Sequence, residues 1–526
     1  MTVFSTILVA NRGEIASRVI RSAQKMGIKC VAIYVEADKN APYLAQADQS
    51  IKLDTSYLDA DAILNAAKVS HSEAIHPGYG FLSENAKFAS SVEQSGLVWI
   101  GPSANVISQM GDKLKAKDIA ESAGLPTLPI ALKKSDIDSI GFPLLIKAAA
   151  GGGGKGMRVV KHADELDESV NMAQKEALNA FADDTVFFES YISQSRHIEI
   201  QVLGDNHGNI IHLGERECSI QRRHQKIIEE SPSPRINSTL REQLGDAAVS
   251  LAKKINYQSA GTVEFLFDDT TGKFWFLEMN TRLQVEHGVT ELVTGLDLVE
   301  LQIQAAAGET LPISQEDVSI NGHAIEVRVY PEDPKTFMPD AGDITDLHQP
   351  EGEFIRIDSA LCNGYTVELD YEPLMAKIMA WGKDRDQAIK TLQRALLEFR
   401  VEGVKCNVPL LRDILATKEF VAATYHTGSM PIWLEEFQIR AQNKCSNGKM
   451  HKNGNGHKSG NANNAKNGHK TGQENGEREI AAAIGVSLAM TMKSAQPVSL
   501  APFSPWRVYG RREQLLSRTL GNRGWQ

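Results

Sequence analysis

Acidic and amide side chains recur in one stretch at a spacing that suits a divalent cation. In Phe274-Trp-Phe-Leu-Glu-Met-Asn-Thr-Arg-Leu-Gln-Val-Glu286, a period of two puts Glu278, Asn280, Arg282, Gln284 and Glu286 on one side. Trp275, Leu277, Met279, Leu283 and Val285 fall on the other. Taken alone, this is equally the pattern of a half-buried strand with a solvated polar face. The preceding run, Gly261-Thr-Val-Glu-Phe-Leu-Phe267, is joined to it by the turn-forming Asp268-Asp-Thr-Thr-Gly-Lys273. A hairpin centred near Thr271 sets Glu264 opposite Glu278. Like charges facing each other across a strand pair at about 5 Å repel, so the pair is favourable around a cation. Oxygen ligands with no His or Cys beside them suit Mg²⁺, which shares substrate phosphates.

Other stretches add anion-binding chemistry. Lys147-Ala-Ala-Ala-Gly-Gly-Gly-Gly-Lys-Gly-Met157 lacks the G-K-[ST] of a P-loop and is followed by a strand, not a helix. A glycine hairpin still lets backbone N–H groups approach phosphate oxygens, and Lys147 can add charge; a merely flexible turn explains the glycines as well. Arg222, Arg223, His224 and Lys226 crowd together within Glu215 to Lys226. This is either a solvated charge run or, beside magnesium and phosphate, an anion-binding wall. Asn11-Arg-Gly-Glu14 and His76-Pro-Gly-Tyr-Gly-Phe-Leu-Ser-Glu-Asn85 each follow a strand-like run. Ligand loops of open α/β sheets occupy that position, although turn and capping roles explain both.

The elements that must carry these groups are legible in outline. Thr6–Ala10 and Cys30–Tyr34 read as buried strands flanking a helix from Glu14 to Met26, a βαβ unit. The lone Gly13 after the first strand disfavours a dinucleotide fingerprint. From Gly141 the pattern turns to strands and hairpins: Phe142–Ala149, Met157–Val160, Phe187–Ile192 and His197–Leu203. A helix near Leu240–Ile255, the hairpin Gly261–Glu286, and a final mixed region with a helix over Arg385–Phe399 follow. Residues 442–476 are rich in Asn, Gly, Lys and His and read as a disordered linker. Beyond it, 477–492 reads as a short helix and 505–523 as arginine-rich and amphipathic.

With 526 residues, the chain exceeds one hydrophobic core and should hold about three domains. A net charge of -10 disfavours a general nucleic-acid binder. Five dispersed cysteines without a C-x-x-C pair fit reduced thiols and a cytoplasmic location. No signal peptide is expected, and the apolar run Ile480–Met492 is too short to span a bilayer.

Taken in order, these motifs closely resemble the biotin carboxylase family of the ATP-grasp superfamily, over residues 4 to about 438. The resemblance rests on Ala10–Glu14, His76–Asn85, Met110-Gly-Asp-Lys113, the glycine hairpin, Arg196–Val202, Gln221–Lys226, Glu278–His287 and Gly322–Arg328. It implies an α/β and α+β multidomain ATP-grasp fold. Its parts would be a Rossmann-like domain (1–112), an ATP-grasp domain (113–320, lid about 128–192) and a C-terminal domain (321–440). A linker (441–476) and a partner-docking tail (477–526) would follow.

The resemblance also implies an ATP-dependent carbon–nitrogen ligase that carboxylates biotin through carboxyphosphate. Lys113, Lys147, Gly153, Gly154, His197 and His224 would line the nucleotide site, and Glu189, Ser190, Tyr191 and Ile192 would meet adenine. Glu264, Glu278 and Asn280 would hold Mg²⁺ or Mn²⁺. Lys226, Arg282, Gln284 and Val285 would bind bicarbonate, Glu286 would be the general base, and Arg328 would stabilise the biotin enolate. Expected partners are a biotin carboxyl carrier protein, carboxyltransferase subunits and a second copy of the chain. Ala489-Met-Thr-Met-Lys493 resembles a biotinylation motif only superficially, so the carrier is expected to be a separate chain. The chain departs from the family at Gly288, where proline is usual, a change expected to loosen the loop carrying Glu286. Lys155 replaces an arginine, a smaller change at a point-charge contact. Another ATP-grasp ligase joining a carboxylate to an amine, or a scaffold retaining the fold, are the alternatives.

Overall fold

The computed structural model describes residues 3–149, 156–371 and 374–450, the last ten as backbone. Near its start, five short strands line up in parallel in the order β3-β2-β1-β4-β5: β1 (Thr6–Val9), β2 (Lys29–Tyr34), β3 (Gln49–Lys52), β4 (Ala74–His76) and β5 (Val98–Trp99). Ile7, Leu8 and Val9 are all fully buried, as expected of a parallel strand covered on both faces. Helix α1 (Gly13–Lys25) makes the crossover from β1 to β2 and packs Ile15, Val19 and Ile20 inward. The βαβ reading holds to within a residue at each end.

A second, smaller sheet is built from residues 130–190, within the stretch expected to form a lid. Strands β6 (Ile130–Ala131), β7 (Leu144–Ala148), β8 (Arg158–Val160) and β9 (Val186–Ser190) pair in the order β6-β9-β7-β8. Helix α2 (Leu166–Phe181) contributes Leu166 and Ala173 to the core beneath it, with Leu144, Ile146 and Phe188. Residues 150–155, which include Gly153, Gly154 and Lys155, lie outside the described residues.

The site is carried by an antiparallel sheet of eight strands, in the order β14-β13-β10-β11-β12-β15-β17-β16. They are β10 (Ser195–Gly204), β11 (Ile210–Arg222), β12 (Gln225–Ser231), β13 (Ser259–Asp268), β14 (Lys273–Asn280), β15 (His323–Val329), β16 (Ile355–Ser359) and β17 (Ala376–Gly382). Helix α3 (Ser238–Lys254) covers β10 and β11, its Leu244, Ala248 and Leu251 joining Ile198, Ile200 and Val263 in one core. Helix α4 (His287–Thr294) lies in contact with β11, β12 and β15. Helix α5 (Arg385–Glu398) packs on β17 through Ala388, Leu392 and Ala395. The β12–β15 pairing makes one sheet of what the resemblance divides at residue 320.

Sequence and structure part company in two places. The hairpin strand ends at Asn280, so the period-two face covers Glu278 and Asn280 and stops there. Arg282, Gln284 and Glu286 return to the same region on the turn from Thr281 to Glu286 that precedes α4. The last described helix, α6 (Ser429–Met450), runs past Gln442, where composition places a linker. The rest of the linker and the tail, Lys493 included, lie outside the described residues. No described helix is long and apolar enough to cross a membrane.

Candidate active site

The β13–β14 register sets Glu264 against Glu278 and Thr262 against Asn280, as the hairpin spacing predicts. A bulge makes this possible. Phe265 pairs with Phe276 and Asp268 with Lys273, so the turn end of the hairpin is one residue out of step, and Leu277 takes up the difference. Glu264 Oε1 accepts from Asn280 Nδ2 at 2.9 Å, from Gln284 Nε2 at 3.1 Å and from Lys226 Nζ at 2.8 Å. Its Oε2 lies 2.9 Å from His197 Nε2. Burial and the neighbouring Glu264 charge push the Glu278 carboxyl above its ordinary range. A divalent cation between the two would relieve that repulsion, and the all-oxygen set of Glu264, Glu278 and Asn280 fits magnesium.

Lys226, on β12, is the hub of the site. Its Nζ lies 2.5 Å from Glu199, 2.8 Å from Glu264 and 2.7 Å from Glu286. Glu286 sends its other oxygen to Arg328 Nη2 at 2.9 Å, and Arg328 Nε donates to Glu229 at 2.6 Å. Burial would raise the Glu286 carboxyl, but Lys226, Arg328 and Arg216 together hold it well below its ordinary value. It is therefore a carboxylate at neutral pH, in contact with two cations that an incoming anion can share.

Arg282 is aimed by four acceptors: Nε donates to Glu84 at 2.8 Å, Nη1 to Gln284 Oε1 at 3.0 Å and to the Leu283 carbonyl at 3.2 Å, and Nη2 to Asn280 Oδ1 at 3.1 Å. Val285 contributes its carbonyl to Lys377 Nζ at 2.7 Å. Gly288 sits inside the first turn of α4, not in a loop, and it is buried.

Further lysines meet around Glu189 and the end of β7. Lys147 ion-pairs with Glu189, whose other oxygen takes Lys117 Nζ at 2.9 Å. Burial favours the neutral acid at Glu189, yet Lys147 and Lys117 keep its carboxyl below its ordinary value. The Glu189 side chain is thus committed to lysines, followed along the chain by Ser190, Tyr191 and Ile192. Lys113 Nζ lies 3.4 Å from the Ala148 carbonyl; burial first, and then Lys147, lower its pKa.

The cationic cluster read from the sequence divides. Lys226 enters the carboxylate cluster, whereas Arg222 ion-pairs with Glu332 and lies over the Phe337 ring at 5.3 Å. Arg223 and His224 are exposed in the β11–β12 turn, both with positive φ. His197 reaches both Glu264 and, at 3.1 Å from Nδ1, Gln221 Nε2.

Sequence reasoning missed several members. Glu199 and Arg216 are fully buried and ion-paired, and Arg216 also donates to Gln201, Thr290 and Thr262. Glu199 stands two residues from His197 on one strand face, a period-two signal that was available. Glu84 lies within the His76–Asn85 motif, while Glu229, Lys117 and Lys377 carry no local signal.

Matches to family models cover most of the chain. Residues 3–107 match the biotin carboxylase N-terminal domain, 112–314 the ATP binding domain of the carbamoyl-phosphate synthase L chain, and 326–431 the biotin carboxylase C-terminal domain. Fold and matches together define an ATP-dependent ligase. Biotin carboxylase 2 of Bacillus subtilis is 47% identical over 79% of this chain and 97% of its own length. The mitochondrial methylcrotonoyl-CoA carboxylase subunit alpha of Glycine max is 46% identical over 84% of this chain, which spans 62% of that longer relative. Among solved structures, the biotin carboxylase domain dimer of Hydrogenobacter thermophilus 2-oxoglutarate carboxylase superposes with a TM-score of 0.80 at 44% identity. That match covers 83% of this chain and 98% of the other, which was solved in complex with MgADP, ADP and bicarbonate. The chain belongs to the biotin carboxylase family.

Proposed function

We propose that this chain uses ATP and bicarbonate to carboxylate a biotin carried on a separate protein. The observation that carries the reading is the contact of Glu286 with both Lys226 and Arg328 beside the Glu264–Glu278 pair. Glu264, Glu278 and Asn280 would hold magnesium, which would neutralise phosphate charge as the γ-phosphoryl group moves. Bicarbonate settling against Lys226, Arg282 and Gln284 takes a share of the cations that now hold Glu286. That sharing weakens their hold on the Glu286 carboxylate and frees it to accept the bicarbonate proton. The bicarbonate oxygen attacks the γ-phosphorus, ADP leaves, and carboxyphosphate breaks down to CO₂ and phosphate. Phosphate takes the N1 proton of biotin, Arg328 faces the enolate oxygen, and N1 attacks CO₂. Lys113, Lys147 and His197 would line the nucleotide, with Gly153 and Gly154 as lid contacts. The segment around Glu189 to Ile192 would meet adenine, with His224 at the rim.

The same reading supplies a biotin carboxyl carrier protein, carboxyltransferase subunits acting on an acyl-CoA or pyruvate, and a homodimer. A cytoplasmic location agrees with the unpaired Cys30, Cys218, Cys362 and Cys406. ATP cleavage by the purified chain should depend on bicarbonate and rise with free biotin. Glu286→Gln should lower it at least about 100-fold, in the range of lost general-base catalysis. Cleavage that ignores bicarbonate but responds to an amine would replace this reading with the amine-ligase one.

A further inference from the structure

Helix α4 starts one residue after Glu286, and the first turn of that helix has no room for a side chain at Gly288. A Cβ there would lie 2.3 Å from Met379 Sδ, 3.3 Å from Met379 Cε and 3.3 Å from Glu326 Oε2. Gly288 is not among the positive-φ residues, so the constraint is space and not backbone conformation. Met379 is fully buried and stands opposite Glu326 in the β15–β17 register. Two residues earlier on the same face of β17, Lys377 Nζ donates to the Val285 carbonyl at 2.7 Å. Alternate residues of one strand therefore touch the chain on both sides of Glu286, Lys377 at Val285 and Met379 at Gly288.

We propose that Gly288 and Met379 are a matched packing pair which, together with Lys377, sets where Glu286 presents its carboxylate to Lys226 and Arg328. Both are positioning residues that act through Glu286, and the inference rests on the reading of Glu286 as the base. The missing side chain at 288 is the space the thioether occupies; it does not slacken the turn. In an unconstrained helix, alanine is favoured over glycine, so an adverse effect of a single methyl group here reports on packing. That methyl must displace a buried sulfur or lift the first turn. A shift of about 1 Å in a catalytic group can cost about 100-fold in rate.

The test is a double-mutant cycle in the full chain, following bicarbonate-dependent ATP cleavage with free biotin. Gly288→Ala should lower kcat about tenfold or more while the KM for ATP stays within about twofold, since neither Gly288 nor Met379 is among the residues proposed to hold the nucleotide. Met379→Ala, which opens a void under the helix, should also lower kcat. The double variant should exceed both singles, because the new methyl fills part of the space that sulfur leaves. Losses that simply multiply, or a Gly288→Ala enzyme with unchanged kcat, overturn the pairing. Should Gly288→Ala fail to fold, a folded and active double variant supports it, and a double variant that is equally unfolded overturns it. An unmodified chain without bicarbonate-dependent cleavage defeats the functional reading as a whole. An active chain with multiplicative losses defeats only the packing pair.

Discussion

Lys226 Nζ serves Glu199, Glu264 and Glu286 at once, so its removal leaves three carboxylates converging without their shared cation. Breaking a buried pair by removing one partner costs about 3–5 kcal/mol, because the remaining charge is uncompensated. Lys226→Met should therefore lower stability on that scale in urea denaturation. It should also cut kcat/KM for bicarbonate at least about 100-fold, since the proposed bicarbonate site loses one of its cations. Arg328→Met should lower biotin-stimulated turnover at least about tenfold while some bicarbonate-dependent ATP cleavage persists, because Lys226 still faces Glu286. Initial rates with and without biotin separate the two effects. At this scale the sequence was informative in bringing Glu264 and Glu278 to one hairpin, although their direct pairing depends on a bulge that periodicity does not reveal. It was silent on Glu229, Lys117 and Lys377, whose partners lie on elements far apart in sequence.

Between elements, buried ion pairs fix how α4 is held. Arg18 of α1 donates to Glu291 at 2.7 Å and to Asp297 at 2.9 Å, and Ser22 adds a bond to Asp297 at 2.6 Å. Glu291 belongs to α4, whose N-cap is Glu286. Arg18→Met should lower the urea midpoint by leaving Asp297 without its arginine, while Glu291 keeps Arg356 at 2.6 Å. The cost should therefore fall below the about 3–5 kcal/mol of a stranded buried charge. Helices α2 and α4 were not read from the sequence, whereas α1, α3 and α5 were legible in it to within a few residues. The strand through Glu286 was not, because Thr281 to Glu286 keeps an alternating polar pattern after the ladder ends at Asn280. Alternation records which side chains face the site, and a folded-back turn can satisfy it as well as a strand. The bulge at Leu277 was invisible for a related reason: an assumed turn centre near Thr271 compensated for it and gave the correct pair.

For the whole molecule, acid sensitivity has a named contributor. Burial, and then Arg18, lower the His76 imidazole from its ordinary 6.5 to about 3, and Nδ1 accepts the Gly78 N–H at 3.0 Å. Between those two values the unfolded chain binds a proton that the folded chain refuses, so stability falls as pH drops below 6.5. The slope from this group is at most about 1.4 kcal/mol per pH unit. His76→Asn, which keeps an acceptor for Gly78, should flatten it, as urea midpoints at pH 7.5 and pH 5 will show. The tail after the linker, residues 477–526, is proposed to dock partner subunits, and the test is a chain ending at Arg440. A chain truncated there should keep free-biotin activity and lose co-purifying partners; undiminished co-purification would count against the assignment.

The pairing of β12 with β15 bears on how this enzyme can be recombined. Four rungs, Ile228 with Val327 through Ser231 with Ala324, cross the seam between the matched ATP-binding and C-terminal regions. Severing the chain near residue 320 to express two halves would bare the amide edges of both strands, an invitation to aggregate. Chimeras that exchange the last third with a relative must therefore preserve those four rungs, because there the junction is a zipper and not a hinge.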